Sequence, residues 1–383
     1  MPVAKLKKAE EILNDFFLER EEVIEGLFLS LIAKQNVFLY GKASTGKTAL
    51  SETFIRIVEG EEPFSILVGG FTTPEELFGG IIMDEYVKGN VVRNYKNKLP
   101  DVRLAFIDEI FKANPVFLNT LLGLMHETER RFYNGSEMIK AKLNMIIGAS
   151  NELPEEDDGL YPLYDRFGFR FYVEDMKDPN NRKKARLNKV MGVGAPEIPK
   201  ITPQELEELQ IFAKFVDIRK INEVLEEINM KLKDEGVHPT PRRLEATLKL
   251  VQAKVIFEGR SEPVEEDLLI ARNTLWDVPE EIDIVKDVVD EFAQDRLKRD
   301  LEKLEKEAGE IYENATSENV GYEAKYEAAV KLKKIQTELL YLKKKYPDRG
   351  KEVELVIEKI GKARDDLLEH AIQPISISSV DLN

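Results

Sequence analysis

The stretch NVFLYGKASTGKTAL, residues 36–50, decides the fold of this chain. Its first part, residues 37–40, is a short apolar run of the kind that forms a buried strand. The eight residues 41–48 match the pattern G-x-x-x-x-G-K-[ST] of a phosphate-binding loop. From Thr48 onward the sequence has the pattern of a helix. A strand, a glycine-containing loop and a helix in this order predict an α/β parallel sheet with an anion site at the helix start.

The residue types in this loop suit a nucleoside triphosphate. Two glycines let the backbone curl so that successive N–H groups face an anion. Lys47 is expected to reach the β- and γ-phosphates, and the Thr48 hydroxyl is expected to hold Mg²⁺. We therefore predict that ATP and Mg²⁺ bind at the loop and the first helical turn, through Gly41, Lys42, Ala43, Ser44, Thr45, Gly46, Lys47, Thr48 and Ala49.

A second apolar run ends in two carboxylates. Residues 104–107 predict a buried strand, and Asp108 and Glu109 emerge at its C-terminal end. In open parallel sheets that end is where ligands bind. Asp108 would hold the magnesium ion, and Glu109 would orient and polarise the water that attacks the γ-phosphate. Two acids that merely follow a strand are the alternative, but their position after a phosphate loop favours the catalytic interpretation.

A third buried strand is predicted over residues 142–150, and Asn151 follows it directly. A polar amide at this strand tip, beside the two carboxylates, can hydrogen-bond the γ-phosphate or the attacking water. A simple turn asparagine is the alternative. Asn151 is therefore predicted as a member of the catalytic set.

Two pairs of arginines are further candidates for contacts with phosphate. Arg166 and Arg170 lie among aromatic residues, and either is a structural cation or a group that enters a neighbouring subunit's site. Arg242 and Arg243 open a predicted helix, where a positive charge opposes the helix dipole. That unfavourable position suggests that they face an anion.

The chain divides into three predicted domains. Residues 1–178 form an α/β nucleotide-binding domain with an N-terminal helix, and residues 179–280 form a helical lid. Residues 281–383 are rich in Lys, Glu and Leu, with leucines at spacings of three and four, which predicts a helical hairpin or three-helix bundle. Within the first domain we expect a β-hairpin over residues 81–94 and a helix over residues 114–127.

Composition excludes several classes of site. The chain has no cysteine, so disulfides and thiolate metal sites are excluded, which suits a reducing cytoplasm. A net charge of −16 disfavours non-specific attraction to nucleic acid. We find no membrane span and no signal peptide in the sequence, and we expect a cytoplasmic protein.

The motifs together resemble those of a known family. In order and spacing the chain is similar to MoxR-type AAA+ ATPases, and most similar to their RavA-like branch, over about residues 21–280. The resemblance rests on GKASTGKT, FTTPEELFG, LAFIDEIFKANP, IIGASNELP, YDRFGF and TPRRLEATLKLVQA. One departure is that the loop carries Ala43 and Ser44 where prolines are common in the family.

The resemblance implies a role for each candidate. The loop becomes Walker A, with Lys47 in the catalytic set, and the acid pair becomes Walker B. Asn151 matches sensor 1. Arg166 matches the arginine finger, with Arg170 as the fallback, and Arg242 matches sensor 2, with Arg243 as its alternative.

The resemblance also implies an assembly and partners. The family forms homo-hexameric rings with ATP between subunits. Its members act as chaperone-like remodellers, often beside a protein with a von Willebrand A domain and a metal-binding site. These properties are expectations for this chain, and its client protein is not identified by the sequence.

Three functions are compatible with the motifs. The first is an ATP-hydrolysing remodeller of a protein partner, which the full nucleotide set and the net acidity favour. The second is a nucleic-acid motor with hairpins lining a pore, and the third is a scaffold without activity. A GTPase is disfavoured because the nearest match to Asn-Lys-x-Asp, at residues 97–100, ends in proline.

Overall fold

The computed structural model describes residues 2–113, 118–126, 129–154, 159–293, 296–317, 321–346 and 349–371. The chain forms two compact units, an N-terminal unit of Met1–Glu291 and a C-terminal unit of Phe292–Asn383. The predicted boundaries at 178/179 and 280/281 stay predictions. In the described part of the chain, no helix combines the length and the apolarity that crossing a membrane requires.

A five-stranded parallel sheet organises the N-terminal unit, as predicted. Its strands, in the order β2-β3-β6-β1-β7, are β1 (Val37–Tyr40), β2 (Phe64–Leu67), β3 (Leu104–Asp108), β6 (Met145–Ser150) and β7 (Phe169–Tyr172). The central strands are almost continuously buried, which explains their unbroken apolar sequences. Because the register pairs Tyr40 with Ser150 and Ile107 with Gly148, the carboxyl ends of β1, β3 and β6 meet at one edge.

Helices of the N-terminal unit precede the sheet and connect its strands. They are α1 (Pro2–Phe16), α2 (Glu21–Ala33), α3 (Lys47–Phe54), α4 (Pro74–Phe78), α5 (Met83–Tyr86) and α6 (Tyr161–Tyr164). The side chain of Phe38 on β1 contacts the rings of Phe111, Tyr164 and Phe167. This aromatic core fixes β1, and therefore the start of the phosphate loop, against the elements that carry the other candidates.

The predicted hairpin over residues 81–94 is wrong. The structure has helix α5 there and a single antiparallel bridge between Ile81 and Arg93. Asp84 and Glu85 lie in the first turn of α5, where acidic side chains favour a helix start. A two-stranded sheet does form further along the chain, from β4 (Arg131–Asn134) and β5 (Glu137–Lys140).

The predicted helix over residues 114–127 is shorter and tighter in the part that the structure describes. Residues 114–117 and 127 lie outside the described residues, and Asn119–Gly123 forms a 3₁₀ helix. Leu118, Leu121 and Leu124 are all buried. Their spacing of three matches the period of a 3₁₀ helix, so all three face the same core.

Helical elements follow the sheet, as predicted for a lid over residues 179–280, and the last of them lies beyond that range. They are α7 (Pro179–Val190), α8 (Pro203–Ala213), α9 (Arg219–Asp234), α10 (Pro241–Phe257), a 3₁₀ helix (Glu265–Asn273) and α11 (Ile282–Ala293). Helix α10 buries one long face that includes Ala246, Leu250 and Val251. Helix α7 differs from the others because none of its residues is buried.

The C-terminal unit is the predicted helical bundle. Its helices are α12 (Arg296–Thr316), α13 (Tyr322–Lys345) and α14 (Gly350–Ala371). The sequence predicts a break between helices over residues 314–321, and α12 ends within it at Thr316 while α13 begins after it at Tyr322. The apolar core of this unit includes Leu297, Leu301, Leu304, Leu332, Leu339, Val353, Ile360 and Leu367. The predicted tail after Gln373 lies outside the described residues.

Candidate functional site

The phosphate loop joins β1 to α3 at the carboxyl edge of the sheet. The Gly41 N–H donates to the Ser150 carbonyl at 3.2 Å, which ties the loop to β6. Gly41 has φ +152°, and a Cβ there would lie 2.3 Å from the Val173 carbonyl oxygen, so only glycine fits. Gly46 caps α3 in a left-handed conformation with φ 91°. Lys42, Ala43 and Ser44 are exposed on the loop, where an anion can reach them.

The side chain of Lys47 bonds to the backbone of the phosphate loop. Its side chain is buried, and Nζ donates to the carbonyl oxygens of Gly41 at 2.6 Å and Lys42 at 2.8 Å. Burial lowers the pKa of Lys47, and the carboxylates of Asp108 and Glu109 oppose that shift. The ammonium group therefore stands at the loop and within the field of both acids, which is the position predicted for a phosphate-binding lysine.

Thr48 and Asp108 meet at the carboxyl edge of β3. The Thr48 hydroxyl donates to Asp108 Oδ2 at 2.8 Å, and Asp108 Oδ1 accepts the Glu109 N–H at 3.0 Å. Hydroxyl and carboxylate oxygens are the hard ligands that Mg²⁺ prefers in proteins. These two side chains therefore fit the predicted magnesium site. Ala49, also predicted to bind nucleotide, lies exposed in the same first turn of α3.

Glu109 occupies an unusual backbone conformation. Its φ of 54° is left-handed, a region that side chains other than Gly, Asn and Asp rarely adopt. Its buried Oε2 lies 3.1 Å from Lys112 Nζ and makes no hydrogen bond within the described chain. The carboxylate of Glu109 is thus part of an ion pair, and its Oε2 keeps an acceptor position that no hydrogen bond within the described chain fills. A carboxylate with an open acceptor position is suited to act as a base once a water molecule reaches it.

Asn151 lies at the edge of the sheet that carries the loop and the acids, whereas Arg166 lies after helix α6. Asn151 follows β6 at once and is exposed, and β6 lies between the strands that carry the loop and the acids. Arg166 follows α6, is partly exposed, and donates to the Pro162 carbonyl at 2.6 Å. The guanidinium of Arg166 is therefore within reach of another molecule.

Arg170 is a structural cation, which argues against the fallback assignment. It is fully buried and donates to Phe167 O at 3.1 Å, Tyr164 O at 3.0 Å and Trp276 O at 3.0 Å. It also pairs with Asp277 at 2.9 Å and lies 3.8 Å from the centroid of the Tyr164 ring. A buried side chain whose three nitrogens all donate inside its own chain cannot enter a neighbouring site without unpacking the core.

Arg242 and Arg243 also differ in burial, as Arg166 and Arg170 do. Arg243 is 1% exposed and pairs with Asp277, and its burial, reinforced by the charge of Arg170, lowers its pKa to about 9. Arg242 is 33% exposed and pairs with the carboxylate of Asp165. The exposure of Arg242 therefore favours it over Arg243 as the residue that meets a ligand.

Arg20 is a site residue that the sequence did not reveal. It is buried, and its Nη2 donates to the Thr45 carbonyl of the phosphate loop at 3.1 Å and to the Glu174 carbonyl at 2.7 Å. Burial lowers its pKa. It lines a cavity of about 280 Å³ together with Val23 and Tyr172. Its place in the charged run LEREE looked like a solvated helix start, which is why it was missed.

Family comparisons agree with this geometry. A family model described as the MoxR domain in the MoxR-vWA-beta-propeller ternary systems matches residues 4–211. A second model, described as an AAA lid domain, matches residues 218–289. The first match alone covers more than half of the chain.

Individual proteins are also similar. Two uncharacterized proteins of Methanocaldococcus jannaschii are each 35% identical to this chain. One matches over 305 residues, which are 79% of this chain and 78% of the relative. The other matches over 280 residues, which are 72% of each. A structural protein of Acidianus two-tailed virus is 26% identical over 300 residues, 70% of this chain and 48% of the viral protein.

A solved structure shows the same fold. The crystal structure of a candidate ATPase from Cytophaga hutchinsonii superimposes with a TM-score of 0.59 and 15% identity, over 75% of this chain and 94% of that chain. This likeness concerns the fold alone. With the MoxR model matched over most of the sheet-bearing unit and the lid model matched after it, the chain belongs to the MoxR family of AAA+ ATPases.

Proposed function

We propose that this protein hydrolyses ATP to ADP and phosphate and uses the reaction to remodel a protein partner. The observation that carries the proposal is the contact of the Thr48 hydroxyl with Asp108 at 2.8 Å. It brings a residue of the phosphate loop against the acid pair of a separate strand. Lys47 lies on the same loop, and Glu109 follows Asp108 directly.

Each candidate side chain has a task in this reaction. Lys47 neutralises charge on the β- and γ-phosphates, and Glu109 accepts a proton as the water oxygen bonds to the γ-phosphorus and the β,γ-bridging oxygen leaves. Asn151 orients that water. Mg²⁺, held by Thr48 and Asp108 when bound, would withdraw charge from the phosphate oxygens.

A cavity next to the phosphate loop is our candidate site for the base and ribose of ATP. The cavity that Arg20 and Val23 line adjoins the loop, because Arg20 also bonds the loop carbonyl of Thr45. We assign this cavity to the nucleoside part of ATP. Arg242, partly exposed at the start of α10, would contact the γ-phosphate from the lid side.

Assembly and partners follow from the family and stay proposals. An arginine finger contacts the nucleotide that is bound to a neighbouring subunit. If Arg166 has this role, the protein must assemble, and we propose a homo-hexameric ring in the cytoplasm. A RavA-like branch stays a prediction. The matched family model names von Willebrand A systems, which supports a partner protein with that domain.

The test is the variant Glu109→Gln. We expect kcat for ATP hydrolysis to fall by about 10²- to 10⁴-fold while the Kd for ATP stays near the wild-type value, because the amide keeps the shape but accepts no proton. Glu223→Gln, an exposed residue on α9, is the matched control and should hydrolyse ATP at the wild-type rate. Wild-type turnover by Glu109→Gln would show that another group is the base.

A nucleic-acid motor is the second candidate, and helix α7 favours it. The helix carries Arg182, Lys183, Lys184, Arg186 and Lys189, contains no acid, and buries none of its residues. A basic, exposed helix of this kind suits contact with a phosphate backbone, although the chain as a whole is acidic. Hydrolysis that DNA stimulates, with a steep loss of stimulation as salt rises, would support this candidate over a protein partner.

A further inference from the structure

One buried carboxylate holds the start of the lid helix α10. Asp165 follows α6 and its side chain is 7% exposed. Its Oδ1 accepts the Thr240 hydroxyl at 2.7 Å, and its Oδ2 accepts Nη1 of Arg242. Nε of Arg243 lies 3.8 Å from Oδ1. The single carboxylate of Asp165 therefore contacts three side chains at the start of the lid helix α10.

Thr240 is diverted from its usual task to make this contact. It is the N-cap of α10, yet its hydroxyl makes no cap hydrogen bond to that helix. Threonine at this position ordinarily accepts from a backbone N–H of the first turn. Its hydroxyl instead donates to Asp165, so the helix start is organised around an anion that lies outside the helix.

Arg242 is the exchangeable member of this cluster. Arg170 and Arg243 are almost completely buried and both pair with Asp277, so neither can change its partner without unpacking the interior. Arg242 is 33% exposed, and Asp165 supplies it with a negative charge at a helix end that disfavours cations. A second anion that reaches this end would therefore compete for Arg242 first.

We propose that Asp165 is a positioning residue that competes with the γ-phosphate of bound ATP for the guanidinium of Arg242. This inference rests on the proposed function, because it requires ATP at the phosphate loop. Without the γ-phosphate, Arg242 stays on Asp165. With it, Arg242 moves to the phosphate, and among the described residues Asp165 keeps the Thr240 hydroxyl and the more distant Arg243.

The exchange has a second consequence along the chain. Asp165 directly precedes Arg166 in the sequence, and Arg166 is the residue proposed to act in a neighbouring site. When Asp165 loses its main partner, the end of α6 that carries Arg166 loses a restraint. The state of one nucleotide site is thereby passed to the side chain that serves the next, through two consecutive residues.

The experiment measures the Kd of MgATPγS and of MgADP for the full chain and for Asp165→Asn by calorimetry. Removing the competing charge should tighten MgATPγS binding by about fivefold and leave MgADP binding unchanged, since ADP has no γ-phosphate. Asp217→Asn, which removes the carboxylate of the exposed Asp217–Arg219 pair in the lid, is the matched control and should change neither Kd.

The outcomes separate this inference from the proposed function. If the wild-type chain binds neither nucleotide, the proposed function falls. If it binds both, and Asp165→Asn shifts both equally or shifts neither, only the competition is disproved. Arg242→Gln covers the case in which Asp165→Asn does not fold. We expect it to bind MgATPγS at least about fivefold more weakly than the wild-type chain with MgADP binding unchanged, and an unchanged Kd for MgATPγS would overturn the proposal.

Discussion

Gly41 shows how closely the phosphate loop is packed against its surroundings. A methyl group at this position would overlap the Val173 carbonyl oxygen, and the backbone is also in a region that favours glycine. We expect Gly41→Ala to lower the free energy of unfolding by about 2 to 4 kcal/mol, through strain and overlap together. Urea denaturation of the nucleotide-free protein measures this change.

Gly60→Ala is the control that isolates the conformational part. Gly60 has a φ of 72°, but a Cβ there would contact nothing within 4 Å. It should cost about 1 kcal/mol, the strain of a left-handed alanine. Equal losses in the two variants would mean that the carbonyl of Val173 gives way and that the loop is looser than its contacts suggest.

The lowered pKa of Lys47 makes nucleotide affinity sensitive to alkaline pH. Burial favours the neutral amine, so folded Lys47 loses its proton below the ordinary value of 10.5. Phosphate binds the ammonium form. ATP affinity should therefore fall as pH rises through the lowered pKa, and binding there should take up protons, as calorimetry in two buffers of different ionisation enthalpy would detect. In Lys47→Arg, proton uptake should vanish.

At this scale the sequence revealed local motifs, but it did not reveal burial that depends on distant residues. The loop and the acid pair were identified because each motif lies within a few residues. Arg166 and Arg170 could not be separated, since the partners that bury Arg170 lie 106 and 107 residues away. The role of Arg20 depends on a carbonyl of a loop 25 residues later, which no local pattern encodes.

Among the elements, strand β7 and the segment that follows the lid's 3₁₀ helix are joined by a buried ion pair. Arg170 on β7 and Arg243 on α10 both contact Asp277. Arg170→Met should lower the free energy of unfolding by about 3 kcal/mol, because it leaves carbonyl groups and part of a carboxylate unpaired in the interior. Thermal or urea unfolding measures this loss.

An exposed ion pair supplies the comparison for that prediction. Arg219 and Asp217 pair at the surface of the lid, with 88% and 58% of their side chains exposed. Arg219→Met should leave the unfolding midpoint unchanged within error, since solvent screens such pairs. A small effect of Arg170→Met, comparable with that of Arg219→Met, would show that the buried cluster adds no stability.

Elements were predicted best where their residues are buried throughout. Strand β1 has the predicted bounds, because an apolar run flanked by a glycine loop leaves few alternatives. The segment 81–94 was misread because its residues are mostly exposed and only loosely alternating. Residues 88–90, Lys-Gly-Asn, have a sequence typical of a turn and do form one, but the turn follows a short helix instead of a strand.

For the whole molecule, every candidate site residue lies in the N-terminal unit. A chain that ends at Ala293 should therefore bind MgATPγS with the Kd of the full chain, provided that the unit folds alone, which its circular dichroism and cooperative unfolding would establish. Calorimetry compares the two chains under identical conditions.

A weaker Kd in a well-folded shortened chain would assign part of nucleotide binding to the C-terminal unit. The size of both chains, measured with and without nucleotide, would test the ring at the same time. The sequence predicted a separate helical bundle because leucine spacing is local. The two compact units of the structure divide between residues 291 and 292, a limit set by contacts between distant residues that composition does not report.

The left-handed backbone at Glu109 lowers the stability of the fold whether or not the side chain takes part in catalysis. Asparagine tolerates this conformation far better than glutamate does. If Glu109 is the base, as proposed, replacing it with asparagine should abolish hydrolysis and raise the melting temperature. Selection for turnover would then explain why the chain keeps a glutamate on a strained backbone.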